Sequence, residues 1–279
     1  MLLIIEHLNG TTYDFDKSDV RTLDFRVDSP NYQHNLLQVE NARGAIDAGS
    51  TIGPRDISAS FLARSHDVAT FSLLRDEIFE ALKSDVPFYL TEKRSTNKRW
   101  LVKVKSPFDI PQVTTTGKFD VQLIALKGVA ESSKTTQHIQ KYGLLSTDDS
   151  WSFGMGLETV DDSELVYTHT AKNFTIFNAG NVEVHPFESY LKIVITNIQS
   201  ATSKVSLVNR ANGSRIDILK PPLNTETWTF DGPVVLRNSL MAVKDTSKKF
   251  LSLAPGRNRI DLEGASSATV SFDFNYLYL

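Results

Sequence analysis

Near residue 130 the sequence changes texture, and that change limits the folds open to it. Before it, short strand-like runs surround one amphipathic helix and end in the strand-like residues 118–127 (KFDVQLIALK). A polar stretch follows at 131–142 (ESSKTTQHIQKY). Beyond that the chain reads as almost pure β, closing in 271–279 (SFDFNYLYL). The reading is mainly β with one helix. It predicts an N-terminal β-sandwich-like module at 1–130, a linker at 131–146 and a C-terminal β-sandwich at 147–279.

The local signals are specific. Residues 2–8, Asn9-Gly10 and 11–15 read as a hairpin, because Asn and Gly both tolerate the positive φ of a two-residue turn. Residues 21–28 alternate, with Leu23, Phe25 and Val27 on one face, and 56–64 alternate through Ile57, Ala59, Phe61 and Ala63. Between them, 41–54 holds three glycines and a proline and reads as a long loop. A helix is predicted over 67–83: Phe71, Leu74, Ile78 and Leu82 form one apolar stripe, with Asp67 as N-cap and Pro87 as limit. In the second half, Ala179-Gly180, Asn212-Gly213, Asp231-Gly232-Pro233 and Pro255-Gly256 punctuate short runs. That spacing indicates an antiparallel sandwich.

Composition excludes several chemistries. The 279 residues contain no cysteine, so disulfides, zinc-thiolate sites and thiol nucleophiles are ruled out. Thirty basic and 33 acidic residues give a net charge of −3, split nearly evenly between the halves. Neither half carries the basic excess of a nucleic-acid binder. The apolar start at 1–8 is too short to span a bilayer and reads as a first strand.

Catalytic motifs fail on inspection. The six histidines are scattered and form no HExxH. Gly154-Met155-Gly156 lacks the third glycine of a dinucleotide loop, and Gly117-Lys118-Phe119 lacks the upstream glycine and hydroxyl of a P-loop. The carboxylate pairs Asp14/Asp16, Asp148/Asp149 and Asp161/Asp162 read as solvated turns rather than a glycosidase pair. No catalytic residue, cofactor or metal ligand is expected, and the chain is not read as an enzyme. The densest charge run holds Lys93, Arg94, Lys98 and Arg99, a hairpin tip and strand face, with an oligomer contact as an alternative. Trp151, Tyr167 and Trp228 stand in the second module. Exposed, they would stack on sugars; buried, they are core.

Several segments together resemble the distal tail (Dit) proteins of long non-contractile-tailed phages. Gly53-Pro54-Arg55-Asp56-Ile57-Ser58-Ala59-Ser60-Phe61 is similar to the family's "R-x-I-x-V-x-F" strand, with Ala59 where valine is common. Leu74-Arg75-Asp76-Glu77-Ile78 is similar to "R-D-x-L/I" on the helix. Phe88-Tyr89-Leu90, Trp100-Leu101-Val102 and Gly117-Lys118-Phe119-Asp120-Val121 follow in order. Phe177-Asn178-Ala179-Gly180 with Pro186 resembles "N-x-G-(x)-P", and Leu253-Ala254-Pro255-Gly256-Arg257-Asn258 resembles "L-x-P-G-x-N". The run Thr227-Trp228-Thr229-Phe230-Asp231 departs from the family's pattern.

The resemblance implies a virion protein at the tail tip, made in the bacterial host cytoplasm, with no membrane partner. It implies a homohexameric ring whose N-terminal modules surround a channel that DNA crosses without specific binding. Galectin-like, carbohydrate-binding-like C-terminal sandwiches would lie outside. The partners implied are the tail tube protein, the tail-associated hub or lysin and a receptor-binding protein. Arg55 is expected to organise the loop–strand junction. The 41–54 segment and the basic hairpin would be arms reaching a neighbour. The alternative reading is a module that binds host cell-wall saccharide.

Overall fold

The computed structural model describes residues 3–15, 19–41, 43–144, 151, 154–157, 160–201 and 203–279. It divides into two compact units, Met1–Ala130 with Leu279, and Glu131–Tyr278. The chain is mainly β, as expected.

The first unit holds β1 (Leu3–His7), β2 (Thr12–Asp14), β3 (Val20–Val27), β4 (Tyr32–Leu37), β5 (Ile46–Ile52), β6 (Arg55–Arg64), α1 (Phe71–Ala81), β7 (Phe88–Glu92), β8 (Lys98–Val104) and β9 (Thr116–Ala125). Its sheet runs β2-β1-β7-β8-β9-β6-β3, antiparallel throughout. β6 and β9 are its spine, in unbroken register from Arg55↔Ala125 to Arg64↔Thr116. Period-two alternation turns Ile57, Ala59, Phe61 and Ala63 inward beside Phe119, Val121 and Leu123. Phe61 and Phe119 stack across the pair with centroids 5.2 Å apart.

Three local expectations need correction. In β3, Leu23 is exposed, because the register with β6 shifts between Thr22 and Asp24. This bulge gives Leu23 no opposite residue, so Val20 and Thr22 point inward before it and Phe25 after it. The helix begins at Phe71 rather than at Asp67. Asp67 instead accepts the Thr70 N–H at 2.8 Å and closes the turn before the helix. Residues 41–54 are not simply a loop, since β4 and β5 pair from Tyr32↔Ile52 to Leu37↔Ile46. Both faces of this hairpin are exposed, so no alternation marks it in the sequence.

The second unit contains β10 (Ala130–Ser132, its first residue belonging to the first unit), α2 (Thr136–Tyr142), β11 (Thr168–His169), β12 (Asn173–Asn178), β13 (Leu191–Gln199), β14 (Val205–Asn209), β15 (Arg215–Ile218), β16 (Trp228–Asp231), β17 (Val234–Arg237), β18 (Leu240–Met241), β19 (Gly256–Glu263), β20 (Ser267–Phe274) and β21 (Leu277–Tyr278). One sheet runs β11-β20-β13-β16-β17-β18 and another β12-β19-β14-β15. Ile193, Ile195, Phe230, Phe272 and Phe274 from the first sheet, and Ile176, Leu207, Ile216, Ile260 and Leu262 from the second, are all buried. This is the expected sandwich.

The linker expected over 131–146 is in large part ordered structure; its end, 145–146, lies outside the described residues. Glu131, Ser132, Thr136 and Ile139 are buried. The polar residues that suggested a linker dock α2 through hydrogen bonds instead of an apolar stripe. Gln137 donates to the Phe272 carbonyl at 2.6 Å, and Gln140 accepts the Tyr167 N–H at 2.7 Å. Thr136 accepts the Phe274 N–H at 3.2 Å.

Gly117 is where α1 meets the sheet. A Cβ there would stand 2.7 Å from the Phe71 ring and 2.9 Å from the Pro111 carbonyl oxygen. Gly117→Ala therefore overpacks the first unit and is expected to destabilise it by about 1–3 kcal/mol. Urea unfolding followed by a first-unit probe checks this; an unchanged midpoint would contradict the helix–sheet contact.

Candidate assembly surfaces

The basic run at 93–99 is a short helical turn, Lys93–Ser95, leading into β8. Its cations meet carboxylates and a ring of the same sheet. Lys93 Nζ lies 2.7 Å from Asp14, Arg94 Nε 3.9 Å from Glu92, and Arg99 4.0 Å from Glu6. Arg99 also lies over the Tyr89 ring, 3.7 Å from its centroid. Lys98 opens β8, half-buried. Together these residues form a charge-balanced face rather than a bare phosphate-binding patch.

Arg55 stands apart. It opens β6 at the root of the β4–β5 hairpin, is 3% exposed and rests on Trp100, 5.2 Å from the ring centroid. Burial pushes its pKa down from the ordinary guanidinium value. The hairpin above it exposes Tyr32, Leu36, Leu37, Val39 and Ile46. Sequence reasoning missed this apolar set, because exposure on both faces leaves no period to detect.

The three aromatic residues considered for saccharide stacking are core. Trp228 is 1% exposed, and its indole N–H donates to Glu226 at 3.1 Å. Tyr167 is fully buried; its hydroxyl donates to the Phe177 carbonyl and contacts the Tyr276 hydroxyl. Burial pushes both tyrosine hydroxyls to higher pKa. Trp151 donates to His138 and packs edge-on against Tyr276. A stacking platform needs an open ring face, and none of the three has one.

The motif residues of the second unit have physical work to do. Asn178 accepts the Gly180 N–H at 3.0 Å and donates to the Val182 and Leu253 carbonyls. A Cβ on Gly180 would run into the Leu277 backbone. Asn258 accepts the Ala254 N–H and donates to the Ala254 and Gly256 carbonyls, which holds the Pro255-Gly256 turn. Asn209 joins this set by donating to Asn258 and to the Ser252 carbonyl, both at 2.8 Å. An asparagine inside an apolar strand was the available signal for this network. Asp217 is likewise buried. Burial alone would raise its pKa, but hydrogen bonds from Ser206 and Arg215 hold it at about 2.

The weak motifs resolve into packing. Met155 is buried, and a Cβ on Gly156 would collide with the Ala179 carbonyl. Asp14 pairs with Lys93. Asp16, Asp148 and Asp149 lie outside the described residues. Among the described residues no group of three or more His, Asp or Glu could hold a metal ion, and no helix is long and apolar enough to cross a membrane.

Residues 8–125 match the family model of the phage tail protein RIFT-related domain. The whole chain has the fold of the crystal structure of SPP1 Dit (gp 19.1), described as a paradigm of the hub adsorption apparatus in phages infecting Gram-positive hosts. That likeness has a TM-score of 0.68 at 6% identity and covers 99% of this chain and 100% of that one. The phage P2 baseplate in its activated conformation with Ca also matches, at TM-score 0.48 and 9% identity, over 98% and 97% of the two chains. No curated protein matches in sequence. The resemblance to distal tail proteins is borne out by the family match over 8–125 and by the shared fold.

Two outcomes follow for the second unit. Trp228→Ala should destabilise it by about 3–5 kcal/mol, because the substitution empties a core site. Thermal melting checks this, and a variant that melts as wild type would mean the ring is not core. Asp217 has a folded-state pKa of about 2 against an ordinary 3.8. Its contribution is fully present above pH 3.8 and is lost as pH falls toward 2. It amounts to about 2 kcal/mol, at 1.36 kcal/mol per pH unit. Asp217→Asn should therefore flatten the acid limb of the stability–pH curve.

Proposed function

We propose that the chain closes head to tail into a hexameric ring at the tip of a long non-contractile phage tail. In this reading the first unit builds the ring and its channel, and the second forms an outer surface. The ring joins the tail tube to the tail-associated hub or lysin, and the outer surface offers a docking site for a receptor-binding protein. DNA crosses the channel without specific binding, and the chain has no catalytic role. It is made in the host cytoplasm and ends in the virion.

The observation that carries this reading is the β4–β5 hairpin. A two-stranded hairpin without a third strand is marginal in water. This one exposes Leu36, Leu37, Val39 and Ile46, with Leu36 60% exposed. Such an uncovered apolar arm is a contact surface in waiting. A contact between an arm and a different surface of the next copy is heterologous, and closes into a ring when the rotation allows. The paired charges around Lys93, Arg94 and Arg99 support a channel that does not grip phosphate. The saccharide-binding alternative has lost its named residues, since Trp151, Tyr167 and Trp228 are buried.

Native mass spectrometry with negative-stain imaging tests the reading. Wild type should populate a hexamer with sixfold views as concentration rises. Replacing residues 33–51 by a short Gly/Ser turn should leave a monomer with a near-unchanged melting temperature. A shortened chain that still forms the ring would remove the arm from the interface, and a persistently monomeric wild type would count against the ring itself.

A further inference from the structure

The groove beside α1 joins an apolar floor to an acidic rim. Phe15, Val20, Leu74, Ile78 and Ala81 line a slot of about 180 Å³ alongside the helix. An apolar cavity of about 150 Å³ holds a benzene-sized group, so this slot has room for one large side chain. It adjoins a wider pocket of about 450 Å³ at the β1–β2 turn, and Tyr13 and Glu80 line both.

Four carboxylates, Asp14, Glu77, Glu80 and Asp85, line the two pockets, against one lysine, Lys83. Asp14 is held by Lys93 at 2.7 Å, and Asp85 by Lys83 at 3.7 Å. Glu77 and Glu80 are exposed and have no cationic partner among the described residues. Their positions cost the helix stability. They stand three residues apart on one helix face, where like charges repel. Glu80 also sits in the last turn, at the negative end of the helix dipole, and that turn holds no basic residue. Glutamine at either place would suit the isolated helix better.

We propose that this groove seats a segment of another protein that carries a large apolar side chain next to a lysine or arginine. The apolar side chain fills the slot, and the cation meets Glu77 and Glu80. A single cation there offsets both the repulsion between the two carboxylates and their clash with the dipole. Charge selects the occupant. The arm of a second copy is apolar too, but its exposed charges are Glu40, Arg43 and Asp47, two carboxylates to one guanidinium. The acidic rim repels such an arm. The inference concerns a contact between one chain and a different protein, and it does not rest on the ring reading.

Fluorescence anisotropy of the full chain with a labelled glycine–serine peptide, carrying one leucine flanked by lysines, tests this. Wild type should bind the peptide saturably, and more weakly as salt rises. Peptides with serine for the leucine, or glutamate for the lysines, should not bind. The double variant Glu77→Gln/Glu80→Gln should lose at least about fivefold in affinity, the size expected of two exposed charge contacts, while melting at or above the wild-type temperature. Glu40→Gln/Asp47→Asn, in the arm, should bind as wild type. No saturable binding by wild type, or unchanged binding by the Glu77/Glu80 variant, would overturn the inference. An equal loss in the arm variant would overturn it too, by showing diffuse attraction to a negative protein. So would a marked fall in melting temperature of the Glu77/Glu80 variant, since the carboxylates would then serve the fold. Lys17, outside the described residues, is the chain's own rival for the place: Lys17→Ala should bind as wild type, and a gain in affinity would overturn the assignment to another protein.

Discussion

The pairing of β6 with β9 is the interaction on which the first unit depends. Ten consecutive residues keep one register, and period two then fixes every side chain on both strands. A slip of one residue would turn Phe61 and Phe119 to solvent and bring Lys118 and Asp120 inside. The same register sets Gly117 beneath Phe71, so the helix can lie close against the sheet. It also fixes the fate of the strand's first residue. Alternation that buries Ile57, Ala59 and Phe61 must also bury Arg55. The guanidinium therefore lies on the core side of the sheet, over the Trp100 ring.

The second unit solves a different problem by different means. Its turns are held from inside by amides rather than from outside by solvent. Asn178, Asn209 and Asn258 are each almost fully buried, and each is bonded to backbone groups of the loops they fix. A buried amide left half-satisfied would cost more than an apolar residue, so such a network works only when complete. This accounts for Asn178 standing two residues before Gly180 and Asn258 two after Gly256. Asn258 reaches back to the turn that Gly256 permits at φ +83°, a conformation that side chains with a Cβ rarely adopt.

Legibility in the sequence followed the physics of burial. The strand at 56–64, the helix stripe and the sandwich were readable because one buried face leaves a period. The arm was not, because β4 and β5 bury neither face. The helix Thr136–Tyr142 was hidden for a related reason. It docks through Thr136, Gln137 and Gln140, residues whose polarity resembles a solvated linker. Leu23 misled because a bulge breaks the alternation without changing composition. Trp151, Tyr167 and Trp228 were ambiguous in principle, since an aromatic residue reads alike in a core and in a sugar platform. Of the candidate contact residues, Arg55 could be picked out by its place before the β6 pattern. That its donors lack acceptors is a property of three dimensions alone.

Charge is spent differently across the first unit, and the contrast bears on assembly. Around Lys93 and Arg99 the ion pairs with Asp14 and Glu6 tie together separate strands of the same sheet. Exposed pairs of this kind contribute little to stability, about 0–1 kcal/mol each, but they remove the attraction for phosphate that free cations would exert. At the arm root the reverse holds: Arg55 Nε and Nη2 have no acceptor, and apolar side chains of the hairpin stand uncovered. A monomer optimised to remain alone would remove both features at no cost to its core. The two regions thus differ in kind: one is paired within the chain, and the other leaves apolar side chains uncovered.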